Sequence, residues 1–423
     1  MSQSLLILSV GSNPLPNAIV ASYLVANENR TDQDTLPSPD YVLFVYSSGT
    51  KKFKDNILKV VPMENNKNLD VGDDIRDYQK IENEVTNQLK RIIKEEGVTN
   101  IHVNYTGGTK TMAVAITTAV YKFSSNDNIE TIFSDLDPDD FKIRLKNGDC
   151  YPDNKDLRNL VNISVDDLYC LHDLKKPEKE EKVCEYHTDD FREALRQECC
   201  DWVEAEKENR SEEKYPLLSR WEKNYDRHEA CGKESAKDYF DSIEKFHEFK
   251  DWKYESFCEH GNKDRKNLIK EIRGYIRGKW LEQDVFQIVQ SYGEGITDTA
   301  WNIMAKIEDR DFEVDVIAMK GCQPFLFSCT TCEEIGVCKG KAFEALYRAS
   351  QLGGDQSKVV LVSLLSDQKD NQGKIPLKEV RKDMKQFNAE ERVSILGLPD
   401  VRDRDKLSEQ IKTILKNGKL EES

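Results

Sequence analysis

Short apolar runs alternate with stretches of helical spacing over the first 165 residues. The apolar runs predict buried strands at Leu5 to Val10, Tyr41 to Tyr46, Leu58 to Met63, Ile101 to Tyr105 and Thr131 to Phe133. The stretches between them predict helices over Asn17 to Ala26, Asp74 to Glu96 and Thr109 to Phe123. Because the strands are apolar on both faces, we expect a parallel, Rossmann-like sheet covered by helices on both sides. A turn at Asp137 to Asp140 and the run Phe141 to Leu145 predict a closing antiparallel hairpin.

The pattern changes after this region and returns to strand-helix alternation near residue 272. The middle segment is rich in charged and aromatic residues, with amphipathic helices predicted over Asp190 to Glu206 and Lys237 to His247. Beyond it, helices are predicted over Tyr275 to Gln290 and Lys341 to Leu352. Strands are predicted near Asn302 to Ile307, Glu313 to Met319, Phe325 to Cys329 and Val359 to Leu364. We therefore predict an α/β domain over residues 1–165, a helical connector or insertion over 166–271 and a second α/β domain over 272–423.

Composition narrows the class of protein. A chain of 423 residues with 38% hydrophobic and 33% charged residues fits two or three globular domains. We find no apolar run of membrane-spanning length, and Leu5 to Val10 lacks a basic region before it, so we expect a cytoplasmic protein without a membrane partner. The 11 cysteines in a large acidic chain indicate reduced thiols. The net charge of −16 argues against a broad nucleic-acid coat and is compatible with a narrow basic groove.

Three loops of small, polar and glycine residues follow predicted strands of the first domain. They consist of Gly11, Ser12, Asn13 and Pro14; Ser47, Ser48, Gly49 and Thr50; and Thr106, Gly107, Gly108, Thr109 and Lys110. The carboxyl ends of parallel strands meet at one edge of a sheet, where ligands bind. Adjacent glycines let the backbone approach a ligand, and the helix that begins at Thr109 suits an anion. The alternative is a tight turn with a threonine cap. The two companion loops favour a phosphate cradle.

The segment from Val103 to Met112 (VNYTGGTKTM) resembles the signature of CARF domains, the sensors of cyclic oligoadenylate in type III CRISPR defence. The loop from Gly11 to Pro14 fits the same family. The resemblance implies a homodimer that binds the ligand across its two-fold axis, with each subunit contributing the three loops. Because a symmetric ring matches an isologous dimer, we expect cyclic tetra-adenylate as the activating ligand.

The second domain carries a spaced set of polar residues. Glu282 ends the string GKWLE in a helix, and Glu313 and Asp315 lie on one face of a strand. They are followed by Ser328 and Thr330 at the end of the next strand, by Lys341 and Glu344 in a helix, and by Gly353 and Gly354. This succession resembles the restriction-endonuclease-like, or PD-(D/E)xK, fold. In particular, it is similar to the nuclease half of CARF effectors of the Card1 or Can2 group.

The second resemblance implies carboxylates that hold Mg²⁺ or Mn²⁺ to activate water for attack on a phosphodiester of single-stranded DNA or RNA. Asp315 is the expected central metal ligand and Glu282 an auxiliary one. Ser328 and Thr330 depart from the family, which has Glu and Lys there; serine is a poor ligand for such ions and threonine carries no charge. Lys341 or Lys339, with Glu344, would return those groups from the next helix. The alternative for Lys341 and Glu344 is an exposed helical face.

Three hypotheses of function follow. The first is a cyclic-oligoadenylate-activated, metal-dependent nuclease of CRISPR antiviral defence. The second is a non-catalytic sensor whose degenerate nuclease domain serves dimerisation or partner binding. The third is an enzyme that processes nucleotides with the N-terminal loops alone. Separately, the cysteines at 322, 329, 332 and 338 include one pair with zinc-like spacing but lack a second, so either zinc or buried thiols would explain them.

Overall fold

A computed structural model describes residues 3–26, 36, 38–126, 129–153, 155–174, 189–205, 274–307 and 310–420. The helix predicted over Lys237 to His247 lies outside the described residues. Among the helices of the described ranges, none has the length and apolar character needed to cross a membrane.

Seven strands form the first sheet, in the order β3-β2-β1-β4-β5-β6-β7. Their bounds are β1 Gln3–Ser9, β2 Tyr41–Tyr46, β3 Asn66–Asp70, β4 Val98–Asn104, β5 Glu130–Leu136, β6 Ile143–Leu145 and β7 Cys150–Tyr151. The first five strands are parallel, whereas β6 and β7 are antiparallel to their neighbours. The predicted parallel sheet and its closing hairpin are confirmed.

Helices cover both faces of this sheet. They are α1 Leu15–Ala21, continued by a π-helical turn Ser22–Ala26, α2 Lys51–Val60, α3 Tyr78–Glu96, α4 Lys110–Asn126 and α5 Val165–Leu171. Alternation along β1 sends Leu5 and Ile7 into a core with α3 and α4. The same alternation sends Leu6 and Leu8 to the opposite face, where α1, α2 and α5 pack.

One predicted strand is wrong. The run Leu58 to Met63 includes the end of helix α2, whose Ile57 is fully buried, and the strand that pairs with β2 is β3, with the polar sequence NKNLD. A short apolar run cannot by itself distinguish a buried strand from the buried side of a helix. The sequence of β3 has no apolar run, because this strand lies at the sheet edge, where little apolar surface has to be buried.

Five strands form the second sheet, in the order β12-β11-β10-β9-β8. Their bounds are β8 Ile296–Ile307, β9 Arg310–Lys320, β10 Gln323–Cys329, β11 Lys358–Val362 and β12 Val393–Leu396. The helices of this part are α6 Asp189–Glu204, α7 Trp280–Tyr292 after a π-helical turn Tyr275–Lys279, α8 Ile335–Gly353, α9 Pro376–Gln386, α10 Leu398–Val401 and α11 Arg404–Asn417. Helix α8 begins at Ile335 rather than at the predicted Lys341.

A continuous apolar core joins the two sheets. Leu8 of β1, Leu168 of α5 and Leu326 of β10 belong to the same buried cluster. The backbone at Gly321 lies directly on the chain at Arg158, because a Cβ on Gly321 would be 2.7 Å from the Arg158 carbonyl carbon. The two α/β parts are therefore packed together through the segment that contains α5.

Candidate functional site

The three predicted ligand loops meet at one edge of the first sheet. Loops 11–14, 47–50 and 106–110 follow β1, β2 and β4, which are parallel neighbours with β1 in the centre. The first and third loops touch, because a Cβ on Gly11 would lie 2.8 Å from the Gly108 nitrogen. The structure thus brings the three candidate loops to one edge of the sheet.

The two adjacent glycines are required by the way the third loop lies on the end of β1. A Cβ on Gly107 would overlap the Ser9 carbonyl oxygen and lie 2.5 Å from Asn17 Oδ1. Gly108 has a left-handed φ of +76°, and its added Cβ would overlap the Ser9 hydroxyl. Both neighbours are buried, and Asn17 Nδ2 donates to the Ser9 carbonyl oxygen at 3.1 Å. The loop can therefore pack this closely on the end of β1 only because both positions lack a side chain.

The threonines of the same loop hold its shape. Thr106 Oγ1 accepts the Leu136 N–H at 2.7 Å, and Thr109 Oγ1 accepts the Met112 N–H at 3.2 Å. Thr109 therefore caps α4, as the alternative interpretation of the loop proposed. Lys110 is exposed at the first residue of α4. A helix N-terminus and an exposed ammonium group at one point suit a phosphate.

The other two loops are also fixed by internal hydrogen bonds. Ser47 N–H donates to Thr50 Oγ1 at 3.0 Å, and the exposed Ser48 donates to Asp70 Oδ1 at 3.4 Å. Asn13 Oδ1 accepts the Leu15 N–H at 3.2 Å and thereby holds the start of α1. Between Gly11 and Asn13, Ser12 is exposed, and the adjoining Pro14 is buried.

The second site is a pair of carboxylates on different elements, Glu282 on α7 and Asp315 on β9. Cys329 N–H donates to Asp315 Oδ2 at 2.7 Å, and the Ser328 hydroxyl donates to the same carboxylate. Burial raises the pKa of Glu282 to about 8, with the charge of Asp315 contributing. Burial also raises the pKa of Asp315, against the lowering effects of the Cys329 N–H and the Lys341 charge.

A hard divalent cation fits this pair. Both residues are partly buried, and the charge of Asp315 disfavours ionisation of Glu282, so a positive charge between the two would stabilise their ionised forms. Among the described residues, no three His, Cys, Asp or Glu side chains are grouped to hold a metal. Magnesium is compatible with such a sparse set, because it is commonly bound by one or two carboxylates and retains several waters.

The cysteines do not form a zinc site within the described part of the chain. Cys322, Cys329 and Cys338 are buried, and Cys338 Sγ donates to the Cys332 carbonyl oxygen at 3.3 Å. Burial raises the pKa of the Cys329 thiol well above its ordinary value, so it stays protonated. Of the two alternatives, the structure favours buried thiols.

The structure places the predicted residues of α8 and of the preceding loop in different surroundings. Lys341 lies near enough to Asp315 for its charge to lower the carboxyl pKa. Glu344 is 59% exposed and pairs with Arg348 at 3.9 Å, and Lys339 pairs with Asp383. Thr330 Oγ1 accepts the Cys332 N–H at 3.2 Å and shapes the turn after β10. Of the candidate α8 residues, Lys341 is thus the one whose charge acts on Asp315.

A buried ion cluster that the sequence analysis missed positions α7. Asp284 is fully buried, two residues beyond Glu282, and pairs with Arg196 of α6 and with Arg404 of α11, whose Nε lies 2.8 Å away. Arg192 and Arg196 are both buried on α6, one helical turn apart. Their i,i+4 spacing places both arginines on one side of α6, and this was the available signal. The cluster was missed because charged residues of an amphipathic helix usually face solvent.

Residues 15–164 match the family model of the Card1 CARF domain, which assigns this part of the chain to the CARF class of domains. Within that class the chain is similar to the Card1/Can2 group, as its sequence predicted. Protein VC1899 from Vibrio cholerae is 13% identical, with a TM-score of 0.57 over 99% of both chains. Can2 from Sulfobacillus thermosulfidooxidans, solved with cyclic tetra-adenylate, is 15% identical, with a TM-score of 0.55 over 97% of this chain and 99% of that one. The chain therefore has the two-part α/β fold of these proteins. No curated protein matches the sequence.

Proposed function

We propose that the chain is a cyclic-oligoadenylate-activated, metal-dependent nuclease of CRISPR antiviral defence that cuts single-stranded DNA or RNA. The observation that carries this proposal is a pair of largely desolvated carboxyl groups on separate elements, Glu282 and Asp315, in a domain packed against a CARF domain; the charge of Asp315 acts on Glu282, and that of Lys341 acts on Asp315. Two partly buried acids whose pKa values are raised by desolvation are typical of a functional site.

Cyclic tetra-adenylate is the proposed activator, and the solved complex of Can2 with this ligand supports it. Its phosphates would meet the Gly107 and Gly108 backbone and the exposed Lys110. We further propose a homodimer. Val114 and Tyr121 of α4 are 54% and 56% exposed on one side of the helix that starts at the ligand loop. Pairing two copies across this side would bring their loops together around one ring.

The chain's own residues have distinct roles in the proposed cleavage. Glu282 and Asp315 would hold Mg²⁺ or Mn²⁺, which supplies Lewis-acid activation of water and charge stabilisation at phosphate. Ser328 and the Cys329 N–H fix the Asp315 carboxylate through hydrogen bonds. The Lys341 ammonium would stabilise negative charge as it develops on the phosphate. In this arrangement, a lysine from helix α8 takes the place of the strand lysine of the family pattern.

The test uses the full chain with labelled single-stranded DNA and RNA, Mn²⁺, and cyclic tetra-adenylate either present or absent. We expect cleavage to require the metal and to be much faster with the ligand than without it. Asp315→Asn should abolish it, whereas Glu344→Gln, a carboxylate change on the exposed side of α8, should leave it intact. Ligand binding without any cleavage that depends on Asp315 would contradict the proposal.

A non-catalytic sensor is the second candidate, favoured by Ser328 and Thr330 at the positions of the family's Glu and Lys. Its test is the double variant Ser328→Glu, Thr330→Lys beside the natural chain. Cleavage by the double variant alone would assign the natural chain to this class. Consumption of the cyclic ligand without any cut in nucleic acid would instead assign the activity to the N-terminal loops.

A further inference from the structure

Helix α8 contacts both candidate sites of the same chain. Near its N-terminal end, Cys338 and Ala342 lie in one buried core with Leu326 of β10, the strand whose Cys329 N–H donates to Asp315 Oδ2 at 2.7 Å. The charge of Lys341, which lies next to Ala342, acts on Asp315. At its C-terminal end, Gly354 lies against loop 11–14 of the sensor. The helix has 19 residues. At about 1.5 Å per residue, the whole helix is roughly 28 Å long, and the stretch from Lys341 to Gly354 separates the two contacts by roughly 20 Å.

Asn13 forms the contact on the sensor side. A Cβ on Gly354 would lie 2.5 Å from Asn13 Nδ2, so the two residues are packed together. The oxygen of the same amide group fixes its orientation, because Asn13 Oδ1 accepts the Leu15 N–H at 3.2 Å. Gly354 has a φ of +57°, in a region that other residues rarely adopt, which favours glycine here. A ligand that moves loop 11–14 must therefore shift Asn13 relative to Gly354 at the end of α8.

Arg392, just before β12, holds that end of the helix. Its Nη2 donates to the Gly354 carbonyl oxygen at 2.6 Å and to Ser350 Oγ at 3.1 Å. Its Nη1 pairs with Asp355 Oδ1 at 3.2 Å. Because one guanidinium bonds the last turn of α8 and the residues after it, a displacement at Gly354 is passed to the helix instead of being absorbed by local fraying.

The buried side of α8 is suited to a small shift. Cys338, Ala342, Ala345 and Ala349 pack the helix on the second sheet. Leu352, nearer the C-terminal end, is a larger side chain in the same core. Over the stretch before it, the short side chains interdigitate little and oppose sliding along the helix axis less than large ones do. Sliding of packed helices is a known mode of conformational change.

We propose that α8 couples ligand binding to the nuclease site, with Asn13 and Arg392 as positioning residues that set where Lys341 lies relative to Asp315. This inference rests on the proposed function and names its regulation. The ligand activates only if it binds more tightly to the arrangement in which Lys341 is correctly placed. Arg392 contributes by keeping the helix end attached to the residues that Asn13 contacts.

The experiment compares Arg392→Met with Arg381→Met in the full chain. Arg381 Nη2 donates to the Ile395 carbonyl oxygen at 2.8 Å, so its variant removes an arginine–carbonyl bond to β12 and serves as the matched control. Three quantities are measured: the affinity for cyclic tetra-adenylate, the cleavage rate in Mn²⁺ with and without that ligand, and hydrogen exchange over residues 335–357.

In the wild type and Arg381→Met, we expect the ligand to change exchange over 335–357. In Arg392→Met this change should disappear, and the ratio of stimulated to basal cleavage should fall at least tenfold while the ligand still binds. Arg392→Lys should restore part of the ratio. A merely structural role would instead lower basal and stimulated rates together.

Full stimulation and an unchanged exchange response in Arg392→Met would overturn the coupling. If Arg392→Met fails to fold, Ser350→Ala takes its place, since it removes one bond of Arg392, and its stimulation ratio must fall in the same direction. A wild type that binds no cyclic tetra-adenylate, or that never cleaves, counts against the proposed function. If the ligand activates the wild type and Arg392→Met keeps the full stimulation, only this inference is contradicted.

Discussion

Gly108 lies where the sensor loop turns onto the end of β1, and Gly108→Ala tests whether this packing is essential. The φ of Gly108 is +76°, and the added methyl group would overlap Ser9 Oγ and lie 3.1 Å from Ser9 Cβ. Ser9 is only 1% exposed, so its short side chain has no route to solvent. The loop or the strand end must therefore shift.

The magnitude has two parts. A left-handed backbone costs about 1–2 kcal/mol for a residue with a Cβ. Overpacking a buried site costs about 1–3 kcal/mol more. Gly108→Ala should therefore lower the free energy of unfolding by about 2–5 kcal/mol. Gly97 is the matched control, since its φ is +71° and no atom of the described residues lies within 4 Å of an added Cβ. Gly97→Ala should cost the backbone part alone.

Urea unfolding followed by circular dichroism gives the loss of stability, and calorimetry with cyclic tetra-adenylate gives the affinity. We expect Gly108→Ala to be about twice as destabilising as Gly97→Ala and to weaken ligand binding at least tenfold. Equal losses of stability for the two variants would refute the close packing of the loop on Ser9. Unchanged affinity would separate this loop from the ligand.

Melting temperatures of the metal-free protein should fall as pH rises from about 4.5 to 8. The reason is that burial holds the folded pKa of Glu282 at about 8, above its ordinary 4.5, so that the folded state binds more protons in this range. Glu282→Gln should flatten that part of the curve, and an unchanged slope would contradict it. Arg196→Met should cost about 3 kcal/mol in urea unfolding, because it leaves buried Asp284 with fewer partners. This is the lower end of the usual cost of breaking a buried ion pair, because Arg404 still pairs with Asp284. A loss of stability below about 1 kcal/mol would contradict a stabilising role of the cluster. Lys341→Met should lower kcat of ligand-stimulated cleavage at least tenfold without weakening the activator's binding, and wild-type kcat would remove Lys341 from the site.

The sequence predicted most of the first sheet because its signals are local. Apolar runs mark strands that are buried on both faces, and the residues after each parallel strand must meet at one edge. The edge strand β3 escaped prediction because its polar sequence carries no such signal. Likewise, α8 is longer than predicted because its first residues, from Ile335, follow a polar loop.

By itself the sequence determined four of the five strands predicted in the first domain, the paired Gly107 and Gly108 after β4, and the Asp315 strand of the second domain. Only the tertiary structure decided which of Lys339, Lys341 and Glu344 lies near Asp315, since all three share one helix and the packing of α8 on the sheet sets its rotation. It also decided the contact of Asn13 with Gly354. Contacts between residues far apart in the chain depend on how two finished sheets pack, and no local pattern encodes that.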